Sequence, residues 1–137
     1  MVNEDDKHFL NGLIDKCLDK DACYICSTGQ LASQTEDYFD EEIVWREVQK
    51  ESVTGKPQDY DMAPMTSFHR NFDEGFWFAT TLARQIVKEE YVISNQVVCI
   101  DCTVQRVRRH LVKLIENINS GWLPNENEIE DPRYDNF

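Results

Sequence analysis

Four of the five cysteines in this chain fall into two pairs, and two residues separate the members of each pair. The pairs are Cys23/Cys26 and Cys99/Cys102. A CxxC turn can aim both sulfurs at one point about 2.3 Å from each, and two such pairs complete the tetrahedral shell of a structural zinc site. The sequence therefore predicts a structural Zn²⁺ site formed by these four cysteines.

The second pair also fits a redox site. An apolar run leads into Cys99-Ile100-Asp101-Cys102 and a helical pattern follows, which is the order of a thioredoxin-like strand, CxxC motif and helix. That fold needs further strands and a proline-bearing turn after the helix, whereas Pro124 and Pro132 lie outside any predicted strand. The pattern therefore favours zinc, with redox catalysis and four buried reduced thiols as the alternatives.

Apolar residues recur every three or four positions in three segments, which is the spacing of amphipathic helices. The segments are residues 4–20, 73–90 and 103–118. Cys17 lies on the apolar stripe of the first segment, which predicts a packed core thiol. His110 lies about two helical turns beyond Cys102, so it is predicted to be a surface histidine rather than a zinc ligand.

The remaining segments are predicted to be short strands and connections. β-branched and aromatic residues crowd residues 42–49, which predicts a strand, and the run 91–100 predicts a hairpin around Ser94-Asn95-Gln96. Residues 23–29 are predicted to form a turn, and residues 53–66 a surface loop. The resulting fold class is α+β, a small three-helix domain with short strands and a treble-clef-like four-cysteine zinc site.

The chain has 137 residues, which fits one domain. We expect a single zinc-stabilised domain over residues 1–119 and an acidic C-terminal tail over residues 120–137. The N-terminus is acidic, and no run approaches the roughly 18 apolar residues of a membrane helix. The sequence therefore predicts a cytoplasmic protein without a secretory leader or a membrane span.

The charge is strongly negative. The chain has 14 basic and 26 acidic residues, for a net charge of −12 at pH 7. Such a charge opposes attraction to nucleic acid or anionic lipid over most of the surface. Another protein is therefore the expected partner.

Two segments around the cysteines resemble a known zinc domain. Cys23-Tyr24-Ile25-Cys26-Ser27 with Gln30, and Val98-Cys99-Ile100-Asp101-Cys102 before an amphipathic helix, follow the plan of a treble-clef zinc finger. They resemble the N-terminal zinc-binding domain of the ClpX unfoldase family. The resemblance implies a four-cysteine structural zinc and a module that dimerises and binds adaptor or substrate proteins without catalysis. It covers only residues 23–30 and 96–118, and a long insertion separates the two pairs.

These features predict a non-catalytic protein-binding module, regulator or inhibitor. The expected contact surface is a run of acids around two aromatic residues, because charge steers encounter while aromatic side chains anchor it. The run consists of Glu36, Asp37, Tyr38, Phe39, Asp40, Glu41 and Glu42. Trp45, Trp77 and Trp122 are further candidate anchors, although Trp77 lies on the predicted central helix and favours the core. A solvated acidic face is the plainer alternative.

Two other functions stay open. The first is nucleic-acid binding. The stretch 103–113, which follows the predicted zinc site, contains four basic residues and no acid, and some zinc fingers bind nucleic acid with the helix after the metal site. Those basic residues are Arg106, Arg108, Arg109 and Lys113. The overall charge weighs against this alternative. The second is an acidic inhibitor, of the kind that viruses and mobile elements encode, which mimics nucleic acid.

Overall fold

The computed structural model describes residues 4–59, 63–87, 90–93, 96–103 and 105–124, which form an α+β fold. In chain order the elements are α1 (Glu4–Asp19), β1 (Tyr24–Thr28), α2 (Ala32–Thr54), β2 (Met65–His69), α3 (Phe72–Thr81), β3 (Arg84–Val87), β4 (Glu90–Ile93) and α4 (Gln105–Asn119). The strands pair as two separate two-stranded sheets. The α+β class is thus confirmed, with four helices in the described residues rather than the three predicted.

Strands β1 and β2 form a parallel pair between two helices. Their register runs from Tyr24 opposite Met65 to Thr28 opposite His69. On one face, Thr66 donates a hydrogen bond to Asp40 of α2. On the other face, Tyr24 and His69 both lie against the ring of Phe78 in α3. Because side chains alternate between the two faces of a strand, this places α2 and α3 on opposite sides of the sheet.

Residues 42–49, predicted to form a strand, lie within helix α2. The helix buries Phe39, Ile43 and Glu47, whose four-residue spacing places them on one face. Val44 and Trp45 are exposed on the other side. Apolar residues therefore occupy both sides of this helix, so the sequence lacks the one-sided periodicity that indicates a helix.

Helix α1 confirms the first predicted helix and packs against α2. Arg46 of α2 joins the two helices through ion pairs with Asp15 and Asp19 of α1, at 2.9 and 2.8 Å. It also pairs with Glu42, one turn earlier on α2, at 2.9 Å. The planar guanidinium can donate to several carboxylates at once, so a single side chain fixes one edge of the α1–α2 contact.

Helix α3 is shorter than predicted. Its N-cap is Asn71, whose side chain accepts a hydrogen bond from the backbone N–H of Glu74. The helix ends at Thr81, whereas the prediction was a helix over residues 73–90. The rest of that predicted helix includes strand β3, so one segment with the apolar spacing of a helix contributes to two different elements.

The β-hairpin lies earlier in the chain than predicted. Strand β3 pairs antiparallel with β4, from Arg84 opposite Ile93 to Val87 opposite Glu90. In the predicted hairpin over residues 91–100, residues 96–100 have no regular structure and Ser94 and Asn95 lie outside the described residues. The predicted loop over residues 53–66 instead includes the end of α2 and the start of β2.

The main hydrophobic cluster lies between α3 and α4, which confirms the predicted third helix. It consists of Phe72, Phe76, Val107, Leu111 and Leu114, with Ile115, Ile118 and Trp122 packed at its edge. Trp122 belongs to the predicted tail over residues 120–137, of which residues 125–137 lie outside the described part. The first residues after α4 therefore contribute to the core.

None of the helices in the described part of the chain is long and apolar enough to span a bilayer.

Helix α3 approaches β1 closely because residue 75 is glycine. A Cβ at this position would lie 2.7 Å from Oγ1 and 2.8 Å from Cβ of Thr28. Among the described residues, nothing lies within 4 Å of the equivalent position at Gly12 of α1. The two helical glycines thus differ in their surroundings, and Gly12 provides a matched control for Gly75.

We expect Gly75→Ala to lower the free energy of unfolding by about 1–3 kcal/mol, because the added methyl overpacks the contact with Thr28. Gly12→Ala should raise it by about 0.5–1 kcal/mol through helix propensity alone. Urea unfolding followed by circular dichroism measures both. Equal, stabilising effects of the two substitutions would contradict the close packing of α3 on β1.

Candidate functional site

An apolar stripe lies on the solvent side of α2. Val44, Trp45 and Val48 have exposed fractions of 51%, 56% and 44%. They line a shallow surface groove together with Asp40 and Glu41, and we call these five residues the Trp45 face. Single exposed apolar residues are normal, but a tryptophan and two valines side by side on one helix form a patch of the kind found at interaction sites.

Three exposed carboxylates lie at the N-terminal end of this stripe. They are Asp37, Asp40 and Glu41, which we call the acidic end. The Asp40 carboxylate accepts a hydrogen bond of 2.6 Å from the hydroxyl of Thr66, a donor without charge. Within the described ranges, none of the three forms an ion pair with a cation. Their negative charge is therefore available to an approaching partner.

Other acids near this helix are already engaged. Glu42 pairs with Arg46, and Glu47 pairs with Lys50 at 2.7 Å. The hydrogen bonds that Arg46 donates to Asp19, Glu42 and Asp15 all favour its charged form and raise its pKa. These acids are therefore paired within the protein and contribute to the fold. The carboxylates of the acidic end, in contrast, have no ion pair among the described residues.

The structure divides the predicted contact run over residues 36–42. Phe39 is 3% exposed and belongs to the core, so it is not the aromatic anchor that the run suggested. Tyr38 and Glu36 are half-buried. Of the three tryptophans, Trp45 is exposed, whereas Trp77 and Trp122 are half-buried. The exposed acids of the predicted run thus lie beside the apolar stripe of α2. The sequence did not indicate this stripe, because residues 42–49 were predicted to form a strand.

The first cysteine pair lies in extended structure rather than in the predicted turn. Cys23 immediately precedes β1 and Cys26 lies within it. Residues three apart along a strand point to opposite faces and are separated by roughly 10 Å. The Cys26 thiol donates a hydrogen bond to the Gly75 carbonyl at 3.5 Å, and burial raises its pKa to about 11. Nearby Glu74 and Glu36 raise this pKa further, while the neighbouring Ser67 hydroxyl lowers it.

The second pair lies elsewhere. Cys99 and Cys102 are exposed in the irregular segment before α4. Burial first, and then the charge of Asp101, raise the pKa of both thiols. Cys17 of α1 also raises the pKa of Cys102, so this pair lies near α1 while Cys26 lies under α3.

The described residues do not fit the predicted four-cysteine zinc site. Within them, no three His, Cys, Asp or Glu side chains are arranged to hold a metal ion. Zinc binding by these cysteines therefore stays a prediction from the sequence. The raised pKa values of Cys26, Cys99 and Cys102 are also opposite to those of CxxC redox sites, whose attacking thiol has a lowered pKa.

The predicted basic surface lies on α4. Arg108, Arg109 and Lys113 are exposed, and the side chain of Arg106 lies outside the described residues. Arg108 donates a hydrogen bond of 2.8 Å to Asp101. Hydrogen bonds from Thr103 and then from Arg108 lower the pKa of Asp101 to about 2. One of the predicted phosphate-binding cations is thus compensated by an acid beside it.

Two of the three histidines, His69 and His110, have structural partners that the sequence did not indicate. His110, predicted at the surface, is half-buried and its Nε2 lies 3.2 Å from Oδ1 of buried Asp73. His69 Nδ1 lies 3.4 Å from Oε2 of Glu74. The contact between His110 and Asp73 joins α4 to α3 across 37 positions of the chain, so only the tertiary fold brings these residues together. The contact between His69 and Glu74 is local, because β2 and α3 are successive elements.

Comparison of the sequence with known protein families identifies the family of this chain. The chain belongs to the family described as "Domain of unknown function (DUF7684)", whose model matches residues 1–118. The match therefore includes the Trp45 face, both cysteine pairs and nearly all of α4. No curated protein and no solved structure matches the chain.

Cys26 is half-buried, whereas Cys99 and Cys102 are exposed to a reagent in solution. In the described structure, we expect a maleimide at pH 8 to modify Cys99 and Cys102 first and Cys26 last. A pKa of about 11 instead of 9.0 lowers the thiolate fraction of Cys26 by about a hundredfold, and the side chain is also half-buried. Peptide mapping by mass spectrometry measures the order of modification.

A zinc-sensitive dye in the same reaction tests the sequence-based hypothesis directly. Release of about one zinc per chain as Cys99 and Cys102 react would establish a four-cysteine site and contradict the arrangement described above. The double variant Cys99→Ser/Cys102→Ser is the control, because it removes the exposed thiols while leaving Cys26 in place.

Proposed function

We propose that this protein is a non-catalytic protein-binding module that docks through the Trp45 face on a basic region of a partner protein. The observation that carries the proposal is the combination of exposed Trp45 with the acidic end on one helix. Tryptophan is the residue type most enriched among interface positions that dominate binding energy. The carboxylates beside it supply long-range attraction to a basic partner.

The side chains of the Trp45 face suit binding rather than catalysis. Its apolar members are Val44, Trp45 and Val48, and its titratable members are the exposed carboxylates Asp40 and Glu41. Burial of the apolar side chains by a partner supplies a favourable hydrophobic term. Such a module acts as a regulator or inhibitor when the basic region that it covers is needed for another interaction.

The electrostatics favour a protein over a nucleic acid as partner. A net charge of −12 repels a phosphate backbone, and Arg108 on the basic helix is paired with Asp101. Structural zinc is a separate prediction on which this proposal does not depend, because the Trp45 face lies on α2 and contains no cysteine.

Site-specific cross-linking tests the proposal. A photoreactive phenylalanine analogue is placed at position 45 and, as a control, at position 53 of the same helix, where Val53 is 86% exposed outside the groove. We expect a protein of the native cell to cross-link at position 45 and not at position 53. That protein is then purified for direct binding measurements.

Binding of the purified partner is compared for Trp45→Ser and Val53→Ser. We expect Trp45→Ser to weaken binding about thirtyfold, because loss of an interface anchor costs about 2 kcal/mol, and Val53→Ser to change it less than twofold. Both side chains are exposed, so the melting temperatures of the two variants should lie close to that of the native protein. Equal effects of the two substitutions on binding would overturn the assignment of the Trp45 face.

A further inference from the structure

The Trp45 face and the acidic end form one continuous surface with different chemistry at its two ends. Asp37, Asp40 and Glu41 lie toward the N-terminus of α2, and Val44, Trp45 and Val48 lie toward its C-terminus. From Asp37 to Val48 the axial distance is about 16 Å, at 1.5 Å per residue. A partner segment that covers this surface must therefore extend over about three helical turns.

The spacing of these residues fits a helix as the occupant. Positions 37, 41, 44 and 48 are separated by four, three and four residues, which is the alternation along the seam between two packed helices. Side chains of a second helix can enter the spaces between such residues. A strand would need a free strand edge to pair with, whereas the groove is lined by side chains of helix α2. The backbone bonds of the second helix are satisfied internally, so it needs only side-chain contacts.

The charge determines which kind of helix fits. Asp37 and Glu41 have no ion pair among the described residues, and the whole chain has a net charge of −12. A second copy that packed α2 against α2 would bring more negative charge to this surface. A cationic segment would neutralise it.

The direction of the occupant follows from helix dipoles. Cations stabilise a helix when they lie in its last turns, near the negative end of its dipole. A helix antiparallel to α2 places its last turns beside the acidic end and its first turns beside Trp45. In that direction the same lysines and arginines favour both the folding of the segment and its binding.

We propose that the Trp45 face binds a cationic amphipathic helix of the partner protein, antiparallel to α2. The helix has about three turns, with apolar residues in the first half and Lys or Arg in the last turns. This inference rests on the proposed function and adds the chemistry and direction of the bound segment.

Three labelled model peptides of about fourteen residues, acetylated and amidated at their ends, test the inference with the full-length protein. The first has leucines in its early turns and lysines and arginines in its last turns. The second has the same composition in the reverse order, and the third replaces every basic residue of the first with glutamate. Fluorescence anisotropy measures binding at 50 and 500 mM NaCl.

We expect the first peptide to bind at least fivefold more tightly than the second, and the third to show no binding. The affinity of the first peptide should fall at least tenfold at the higher salt concentration, because salt screens the charges. The double variant Asp37→Asn/Glu41→Gln should weaken its binding at least fivefold. Glu51→Gln, also exposed but outside the groove on the same helix, is the matched control and should have little effect.

Equal or tighter binding of the second peptide overturns the direction, and binding of the third overturns the cationic occupant. Failure of the first peptide to bind at 1 mM overturns the inference as a whole. Sedimentation that shows a dimer disrupted by Trp45→Ser assigns the surface to a second copy instead. If cross-linking at position 45 captures a partner through a segment that is not a basic helix, the proposed function survives and this inference fails.

Discussion

The parallel pairing of β1 with β2 organises the described part of the molecule. Parallel neighbours cannot be joined by a tight turn, so the chain must cross from the end of one strand to the beginning of the next. Helix α2 lies in this crossover and packs on one face of the pair, while α3 packs on the other. The close approach of α3 depends on Gly75, which leaves room for Thr28 of β1. Helix α4 then completes the core by packing Val107, Leu111 and Leu114 against α3.

Helix α2 performs two tasks that give it an unusual sequence. Its inner side contributes Phe39 and Ile43 to the fold, and its outer side exposes Val44, Trp45 and Val48. Arg46 holds one flank of the helix to α1 through ion pairs with Asp15 and Asp19. Because these contacts fix the helix on the body of the protein, the proposed docking surface is supported by packed secondary structure rather than by a loop.

The cysteines show what spacing alone leaves open. The two CxxC pairs predict a four-cysteine zinc site, and this site stays a prediction, because the backbone between Cys23 and Cys26 enters an extended strand and no three metal-binding side chains come together in the described residues. Burial of Cys26, whose thiol donates to the Gly75 carbonyl, raises its pKa, which disfavours the thiolate that a redox reaction requires. The segment with Cys99 and Cys102 lies instead beside α4, where Asp101 binds both Thr103 and Arg108.

The sequence by itself determined α1 and α4, the α+β class and the acidic surface, because one-sided apolar periodicity and charge are local properties of the chain. It did not determine α2, where apolar residues on two sides imitate a strand, or the boundary between α3 and β3 within one segment that has the apolar spacing of a helix. Only the tertiary structure decided that Phe39 is buried while Trp45 is exposed, since burial depends on which side of α2 meets the sheet. It also decided the pairing of β1 with β2 and the contact between His110 and Asp73, because both join residues far apart in the chain. The acids of the proposed site can therefore be read from the sequence. The apolar stripe beside them can be recognised as exposed only once the tertiary structure shows that the opposite side of α2 is buried.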